Sequence, residues 1–362
     1  MTRFRVFATC DIGREALDRL RERGYDLEVY PDPDPPPKSL ILEKVASGID
    51  ALITTLRDPV DAQVFEAGKD TLKVVAQDAV GYDNIDREAA NRCRIPFTHT
   101  PGVLTQATAE FAFFILGALS RKLYSSERLV RGNRWKGWHP YLPFLGSEVT
   151  GKTVGVVGMG RIGRAFARKC TGLDMNVLCC GSRPVDPVFL TALRELQECA
   201  AGTGLVSRAC TVRETTFEDL LGQSDYVSLH VPLTERTRHL MGESAFRLMK
   251  PTACLINTSR GGVVDEEALC RALRAGQLAG AALDVFSIEP LPADSPLRDP
   301  ELEDRLRLYH HFASGTAETR LSPDPDRGIA GCTVEALIQI LEGGAALDLG
   351  SFDPVVNREA FR

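Results

Sequence analysis

Three ionisable residues in the second half of the chain could together perform acid–base chemistry on a carbonyl compound. Arg260, Glu289 and His311 each follow an apolar run that predicts a β-strand, and ligands bind at the carboxyl ends of strands in open α/β sheets. Arginine can bind a carboxylate through two hydrogen bonds. Histidine can donate a proton near neutral pH, and a neighbouring carboxylate stabilises its charged form. The set is suited to protonating the carbonyl oxygen of a 2-oxo acid while a hydride reaches the carbon.

A glycine-rich turn earlier in the chain predicts a site for a dinucleotide that could supply such a hydride. The apolar run from Val154 to Val157 leads into the sequence GMGRIG at positions 158–163, and a helical pattern follows. In a strand–turn–helix of this kind, Gly158 forms the tight turn, Gly160 lets the backbone approach a pyrophosphate, and Gly163 packs the helix on the strand. The N–H groups at the start of the helix are then available to the phosphates.

The residues after the next predicted strand favour NADP(H) over NAD(H). A site selective for NAD carries an acid there, which binds the ribose 2′-hydroxyl. In this chain the strand from Asn176 to Cys180 ends in Gly181-Ser182-Arg183, without an acid. Ser182 can donate a hydrogen bond to a 2′-phosphate, and Arg183 can pair with its charge. We therefore expect NADP(H) as the preferred cofactor.

The first hundred residues alternate short apolar runs with helical patterns, which indicates a parallel β-sheet covered by helices on both faces. The predicted strands are Phe4 to Ala8, Leu27 to Tyr30, Ala51 to Thr54, Leu72 to Ala76 and Pro96 to Thr98. The predicted helices are Arg14 to Arg23, Leu40 to Ser47, Ala62 to Gly68 and Arg87 to Arg92. A long apolar helix is predicted to follow, from Leu104 to about Arg131.

From Val154 onward the same alternation predicts six parallel strands, enough for a complete Rossmann domain. The last four strands are Tyr226 to His230, Ala253 to Asn257, Ala281 to Val285 and Leu306 to Tyr309. Helices are predicted at Ser244 to Met249, at Glu266 to Ala275 and in the tail from Asp326 to Glu342. We predict an α/β fold with two doubly wound parallel sheets. The Rossmann cofactor domain (residues 103–316) is inserted into a flavodoxin-like substrate domain (residues 1–102 and 317–362).

The composition is that of an ordinary globular protein and disfavours several classes of function. The 362 residues carry a net charge of −6, so the field of the whole molecule does not attract nucleic acid or an anionic membrane. Ten cysteines show no C-x-x-C pair and no spacing suited to zinc, which favours buried thiols in a reducing compartment and no metal site. The N-terminal sequence shows no signal-peptide pattern, so we expect a cytoplasmic protein.

The order of motifs along the chain resembles the D-isomer-specific 2-hydroxyacid dehydrogenase family. Before the glycine turn these motifs are LKVV at 72–75, GYDNID at 81–86, TPGVLT at 100–105 and TAE at 108–110. After it they are HVPLT at 230–234, NTSRG at 257–261, Asp284, EPL at 289–291, a late histidine and DPVVN at 353–357. The resemblance covers nearly the whole chain, and the ordered set of motifs is far more specific than any one of them.

The resemblance implies a role for each matching residue. The catalytic residues would be Arg260, Glu289 and His311. The cofactor-binding residues would be Thr108, Gly158, Gly160, Arg161, Ile162, Gly163, Ser182, Arg183, His230, Val231, Pro232, Thr258, Ser259, Asp284 and Ser314, with Asp284 on the nicotinamide carboxamide. The substrate-binding residues would be Leu56, Val80 and Gly81, the last two through backbone N–H groups to the substrate carboxylate.

Two departures from the family pattern affect the assignment. The family usually has Thr-Pro before the catalytic histidine, whereas Tyr309-His310 stands here and leaves two adjacent histidine candidates. The register with the following Ser and Thr favours His311 over His310. The segment Pro184 to Thr215 is longer than usual and carries an extra predicted helix near Phe189 to Cys199. We expect it to be a solvated excursion, with shaping of the cofactor rim as the alternative.

The substrate class follows by exclusion within the resemblance. Glu289 disfavours formate dehydrogenases, which carry Gln there, and Val80 disfavours phosphite dehydrogenases, which carry Lys. Phosphoglycerate dehydrogenases have Arg where Gln77 stands, and the neighbouring Asp78 would repel a phosphate. A small unphosphorylated 2-oxo acid is therefore expected. NADPH preference and the sequence EPLP point to the glyoxylate/hydroxypyruvate reductase group.

The expected partners are a small 2-oxo or 2-hydroxy acid and a second copy of the chain. Trp135 and Trp138 resemble a segment that reaches a partner subunit in hydroxypyruvate-reducing members, although packing explains both residues equally well. A nucleotide-sensing protein like the corepressors built on the same fold is the alternative function. Those proteins keep the catalytic trio, so the trio does not exclude it.

Overall fold

The computed structural model describes residues 3–140, 144–206 and 209–361, and the chain forms two compact units. The first unit comprises Met1–Leu104 and Ser314–Arg362, and the second comprises Thr105–Ala313. The second unit is therefore an insertion in the sequence of the first. In the described parts of the chain, no helix is long and apolar enough to cross a membrane.

The first unit is built on a five-stranded parallel sheet. Its strands are β1 (Arg5–Ala8), β2 (Asp26–Val29), β3 (Ala51–Thr54), β4 (Val74–Gln77) and β5 (Phe97–Thr98), in the order β2-β1-β3-β4-β5. Every pairing is parallel. This is the flavodoxin-like order. Strands β3 and β4 are buried along their whole length, which is why the chain is apolar in continuous runs there.

Helices cover both faces of this sheet. They are α1 (Arg14–Glu22), α2 (Lys38–Ala46), α3 (Ala62–Gly68), α4 (Arg87–Cys93), α12 (Ala317–Arg320) and α13 (Ile329–Gly343). The apolar residues of α1 and α13 share one core with β1, β3 and β4, while α2, α3 and α4 close the core on the opposite face. The C-terminal segment then meets the edge strand, where Asn357 accepts a hydrogen bond from the Phe97 N–H at 3.0 Å.

The second unit is a doubly wound sheet of seven parallel strands in the described residues. They are β6 (Thr153–Val157), β7 (Asn176–Cys180), β8 (Val212–Glu214), β9 (Tyr226–Leu229), β10 (Cys254–Asn257), β11 (Gly280–Leu283) and β12 (Leu306–Leu308). Their order is β12-β11-β10-β9-β6-β7-β8, the Rossmann order with one further strand, and this confirms the predicted fold class. The helices are α5 (Thr105–Ser120), α6 (Leu123–Arg131), α7 (Arg161–Thr171), α8 (Pro187–Gly202), α9 (Phe217–Gln223), α10 (Glu243–Leu248) and α11 (Glu266–Arg274).

The segment from 184 to 215 is not the solvated excursion that the sequence suggested. Helix α8 is the crossover between β7 and β8, and it buries Leu190, Leu193 and Gln197 against the unit. Strand β8 was absent from the prediction because it is three residues long and only Val212 is buried. A short edge strand of this kind leaves little apolar pattern in a sequence.

The long helix predicted from Leu104 to Arg131 is two helices. Lys122 lies between them with φ of 50°, in the left-handed region. The Ser120 carbonyl, which a continuing helix would use, accepts a hydrogen bond from the Ser147 N–H at 2.9 Å, and the Ser120 hydroxyl donates to the Ser147 carbonyl at 2.6 Å. A contact with a distant segment therefore ends α5.

Candidate active site

The glycine turn between β6 and α7 has the geometry that a pyrophosphate requires. Gly158 has φ of 99°, and a Cβ there would lie 2.5 Å from the His230 carbonyl oxygen. A Cβ on Gly163 would lie 2.0 Å from the Gly158 carbonyl oxygen, so the helix packs too closely for any side chain. Gly160 faces open space. No side chain caps the first turn of α7, which begins at Arg161 and includes Ile162. The turn therefore leaves backbone N–H groups accessible to an anion.

The end of β7 lies beside this turn. The Gly158 N–H donates to the Cys180 carbonyl at 2.9 Å, and a Cβ on Gly181 would lie 3.9 Å from the Met159 nitrogen. Ser182 and Arg183 follow and are exposed. Neither side chain makes a hydrogen bond or ion pair with another described residue. The segment that the sequence assigned to a 2′-phosphate thus adjoins the segment assigned to the pyrophosphate.

The end of β9 forms the neighbouring wall of the turn. The His230 ring packs against Phe166 with 4.9 Å between centroids, and its Nε2 lies 2.9 Å from the Ser228 hydroxyl. Burial lowers the pKa of His230 to about 3, so the ring is neutral at working pH. Val231 is half-buried and Pro232 is exposed. His230 therefore supports the turn through packing and carries no charge for the phosphates.

Two further predicted cofactor residues are buried threonines. Thr108 lies in the first turn of α5. Thr258 follows β10, and its hydroxyl oxygen has no hydrogen-bond partner among the described residues. Burial of a hydroxyl without a hydrogen-bond partner costs free energy, unless a ligand or a water molecule supplies that partner. Together with the open space at Gly160, this hydroxyl fits a bound dinucleotide.

Arg260 is held by the tight loop that follows β10. Asn257 donates from Nδ2 to the Arg260 carbonyl at 2.9 Å and accepts from the Ser259 N–H at 3.0 Å and hydroxyl at 2.7 Å. The Arg260 guanidinium donates to the Ser259 carbonyl at 2.7 Å. A Cβ on Gly261 would lie 1.8 Å from the Phe286 carbonyl carbon, so only glycine allows this loop to pack on the segment that leads to Glu289.

His311 and Glu289 form a hydrogen-bonded pair. His311 Nδ1 lies 2.8 Å from Glu289 Oε2, and the other Glu289 oxygen accepts from the Phe286 N–H at 2.9 Å. Burial acts to raise the pKa of Glu289, but the hydrogen bond and charge of His311, with the Phe286 N–H and the Arg260 charge, outweigh it. The pKa of Glu289 consequently lies below its ordinary value. Glu289 is therefore ionised near neutral pH, and its carboxylate accepts the hydrogen bond from His311 Nδ1.

Asp284 fixes the loop that carries His311. It directly follows β11 and is fully buried. Its carbonyl accepts from the His311 N–H at 2.8 Å, and its two carboxylate oxygens accept from the N–H groups of Phe312 at 2.7 Å and Ala313 at 2.8 Å. These three bonds hold His311 in the left-handed region, with φ of 55°. Burial raises the pKa of Asp284, against the effect of the backbone hydrogen bonds.

The structure separates the two adjacent histidines. His310 is exposed and stacks on Phe312, with 5.0 Å between ring centroids and 21° between planes. Of these two described histidines, only His311 is hydrogen-bonded to Glu289. The histidine paired with Glu289 is thus the one that the register favoured, and its catalytic role stays a prediction.

The predicted substrate residues belong to the first unit, at the carboxyl ends of its strands. Leu56 follows β3 and is half-buried, and Val80 and Gly81 follow β4. Within the described residues, the N–H groups of Val80 and Gly81 donate no recorded hydrogen bond. Backbone donors without partners are suited to a carboxylate.

A network of neutral amides supports these two loops, and sequence reasoning did not single it out. Gln77 donates to the Gly81 carbonyl at 3.2 Å and to Asn84 Oδ1 at 2.8 Å. Asn84 in turn donates to the carbonyls of Thr55 at 3.0 Å and Asp58 at 2.7 Å. The network ties the loop after β4 to the loop after β3. An amide residue at the end of a buried strand was the available signal.

Asp78 differs from the charged acid that the sequence argument assumed. Its Oδ1 accepts from the Thr333 hydroxyl at 2.8 Å. Burial raises the pKa of Asp78 to about 7, although the Thr333 hydrogen bond and the Arg320 charge act to lower it. Asp78 is therefore only partly ionised at neutral pH, and repulsion by its charge is a weak ground for excluding a phosphorylated substrate.

Ser314 lies in the first unit, although the sequence placed it in the cofactor domain. Its hydroxyl accepts from Arg320 Nε at 3.3 Å, and its carbonyl accepts from the Thr316 N–H at 2.8 Å. Its role in cofactor binding stays a prediction.

The sequence of this chain is similar to those of one family of proteins. A model of the NAD binding domain of D-isomer specific 2-hydroxyacid dehydrogenases matches residues 113–311. A glyoxylate reductase of Korarchaeum cryptofilum is 46% identical over 317 residues, which are 87% of this chain and 88% of the relative. A glyoxylate reductase of Aeropyrum pernix is 40% identical over 366 residues, 100% of this chain and 98% of the relative.

Solved structures with similar sequences share this fold. A protein from Thermus thermophilus has a TM-score of 0.80 and 39% identity, covering 94% of this chain and 97% of that one. A glyoxylate reductase from Paecilomyes thermophila has a TM-score of 0.74 and 27% identity, covering 95% of this chain and 97% of that one.

Proposed function

This chain belongs to the D-isomer-specific 2-hydroxyacid dehydrogenase family of NAD(P)-dependent oxidoreductases, and from that premise we propose its specific reaction. It reduces a small 2-oxo acid, such as glyoxylate or hydroxypyruvate, to the corresponding D-2-hydroxy acid with NADPH. The observation that carries this proposal is the 2.8 Å pair of His311 and Glu289, held in the same unit as Arg260 and the glycine turn.

His311 is the proton donor in this reaction. Its Nδ1–H donates to Glu289 Oε2, so Nε2 carries the proton that can be given to the carbonyl oxygen of the substrate. Glu289 stabilises the charged ring before transfer and keeps it oriented afterwards. Arg260 binds the substrate carboxylate or the carbonyl oxygen. The nicotinamide nucleotide, when bound, supplies the hydride to the carbonyl carbon.

The first unit carries the predicted substrate loops. We assign the N–H groups of Val80 and Gly81 to the substrate carboxylate, supported by their lack of a recorded partner among the described residues. We assign Leu56 to the apolar side of a short substrate. The Gln77 and Asn84 amides hold both loops without adding charge.

The NADPH preference rests on Ser182 and Arg183 at the end of β7. Both are exposed beside the glycine turn, and no acid stands at positions 181–183. Arg183→Ala removes the cation that would pair with a 2′-phosphate. We expect its Kd for NADPH to rise about tenfold or more, as for a charge-assisted contact, while its Kd for NADH stays near the parent value. Equal losses for the two nucleotides would exclude Arg183 from a 2′-phosphate site.

A panel of 2-oxo acids assayed with NADPH and NADH in parallel tests the reaction itself. We expect turnover with glyoxylate and hydroxypyruvate, faster with NADPH, and D-configuration in the chiral product. Phosphorylated 2-oxo acids belong in the panel, because the partly charged Asp78 repels a phosphate only weakly. Gln77, which stands where phosphate-binding relatives are expected to carry arginine, disfavours them. Faster turnover of a phosphorylated acid would contradict the proposed substrate class.

We also propose that the protein is a homodimer. An apolar surface on and after α6 supports this, because Val130, Trp135, Trp138 and Leu145 are each more than half exposed. Exposed aromatic residues grouped in this way are typical of protein interfaces. Light scattering of the purified protein should give twice the mass of one chain. The corepressor-like alternative has no observation in its favour, and we do not propose it.

A further inference from the structure

Arg164, in the first turn of α7, contacts three separate parts of the second unit. Its Nε donates to the Met159 carbonyl, inside the glycine turn, at 3.1 Å. Its Nη1 lies 3.3 Å from Asp186 Oδ2, and its guanidinium carbon lies 5.4 Å from the centroid of the Phe189 ring. One side chain therefore joins the glycine turn, the segment after β7 and the first turn of α8.

Asp186 is an acid on the same short segment as the proposed 2′-phosphate site. It follows Arg183 by three residues. Its Oδ1 accepts from the Val188 N–H at 3.0 Å and caps the start of α8, while its Oδ2 pairs with Arg164. The carboxylate is thus both a helix cap and one half of an ion pair.

The other side of this segment is also fixed. The Val185 N–H donates to Glu214 Oε1 at 3.1 Å, and the Val185 side chain is buried. Helix α8 is anchored to the unit by its buried Leu190 and Leu193. The segment after β7 and the start of α8 are therefore packed against the unit, and Arg164 links them to the glycine turn.

We propose that Arg164 is a positioning residue that gives this site its selectivity for a nucleotide with a 2′-phosphate. The inference rests on the proposed NADPH preference. Arg164 neutralises Asp186 and holds the segment that carries Ser182 and Arg183 against the glycine turn. Without Arg164, the unpaired Asp186 carboxylate repels the 2′-phosphate of NADPH. NADH carries a 2′-hydroxyl instead, which a carboxylate can bind, so its affinity does not fall.

A double-mutant cycle measured by nucleotide binding tests this inference. The variants are Arg164→Gln, Asp186→Asn and the double variant, and the readout is Kd for NADPH and NADH from fluorescence titration of the full-length protein. Asparagine also caps helices, so Asp186→Asn keeps the start of α8. We expect Arg164→Gln to raise the NADPH Kd about fivefold, the size of a half-exposed ion pair, with the NADH Kd unchanged or lower. The double variant should return toward the parent value.

Arg168→Gln is the matched control, since Arg168 is an exposed arginine one turn further along α7. It should leave both Kd values unchanged, and circular dichroism should show all variants folded. Equal weakening of NADPH and NADH by Arg164→Gln, or no recovery in the double variant, would overturn the inference. That result differs from failure of the proposed function, in which the parent protein shows no preference for NADPH or Arg183→Ala weakens both nucleotides equally.

Discussion

Glu289 in the second unit and Asp78 in the first are acids in comparable positions with opposite shifts of pKa. Each follows the end of a strand, and burial acts to raise the pKa of both. Glu289 also has the His311 ring at 2.8 Å and the Arg260 charge, and its pKa is lowered. Asp78 has a neutral hydroxyl at 2.8 Å, and this hydrogen bond and the Arg320 charge only partly offset burial, so its pKa rises to about 7. The hydrogen bonds and charges around an acid, and not its burial alone, decide whether it stays ionised.

Replacement of His311, the partner of Glu289, is expected to have the largest effect on turnover. In His311→Ala the proposed proton donor is lost, and kcat should fall by about a thousandfold or more. Single-turnover oxidation of NADPH by a 2-oxo acid measures this step. His310→Ala is the matched control and should keep near-parent turnover, because His310 stacks on Phe312 and has no recorded contact with Glu289. Near-normal turnover in His311→Ala would contradict the assignment.

Glu289→Gln keeps the shape of the pair and removes its charge. We expect a loss of about a hundredfold in kcat, since the orientation of His311 survives while the stabilisation of its protonated form does not. Single-turnover oxidation of NADPH measures this loss, and parent-like turnover in Glu289→Gln would contradict a role for the carboxylate charge.

Asp78→Asn should change stability rather than turnover. The pKa of Asp78 is higher in the folded protein than in the unfolded chain, so the parent protein loses stability as the pH rises from about 4 toward 7. Asparagine removes this loss and can still accept from Thr333. We expect a gain at pH 8 and little change at pH 3.5, where the parent side chain is mostly neutral in both states, measured by denaturant unfolding. An equal effect at the two pH values would show that ionisation of Asp78 is not involved.

Thr333→Val is expected to have the smallest effect. It removes the hydroxyl that donates to Asp78, and that hydrogen bond lowers the pKa of the acid. Without this hydrogen bond the pKa of Asp78 in the folded protein is higher. The stability of Thr333→Val should therefore keep falling up to a higher pH than that of the parent. The dependence of Tm on pH, recorded for both proteins, detects the change. A midpoint that moves to lower pH would contradict the sign of this argument.

The fold was predictable where burial dictates composition. Strands such as β3 and β4 are buried along their whole length and apolar except at their last residue. The glycine turn needs glycine at positions where a Cβ would meet a carbonyl oxygen. The break after Ser120 depends on a hydrogen bond to Ser147, a distant residue, so no local pattern reveals it. Strand β8 was missed because an edge strand with one buried residue has no periodic signal.

The sequence named the residues of the candidate site but not their electrostatic arrangement. The motif order selected Arg260, Glu289 and His311, and the structure brings Glu289 and His311 into contact. The carboxylate of Asp284, predicted to hold the cofactor, accepts two backbone hydrogen bonds from the His311 loop. The pKa of Asp78 depends on burial, which a sequence does not state. Charges in a site follow from three-dimensional surroundings, and residue type alone does not give them.

The insertion of the second unit has a consequence for the order in which the chain folds during synthesis. The core of the first unit needs α13, whose Val334, Leu337 and Ile338 pack with strands that precede the second unit in the sequence. All of residues 105–313 leave the ribosome before α13 does. The second unit can therefore complete its core while the core of the first unit still lacks its last helix, the reverse of the usual N-terminal-first order.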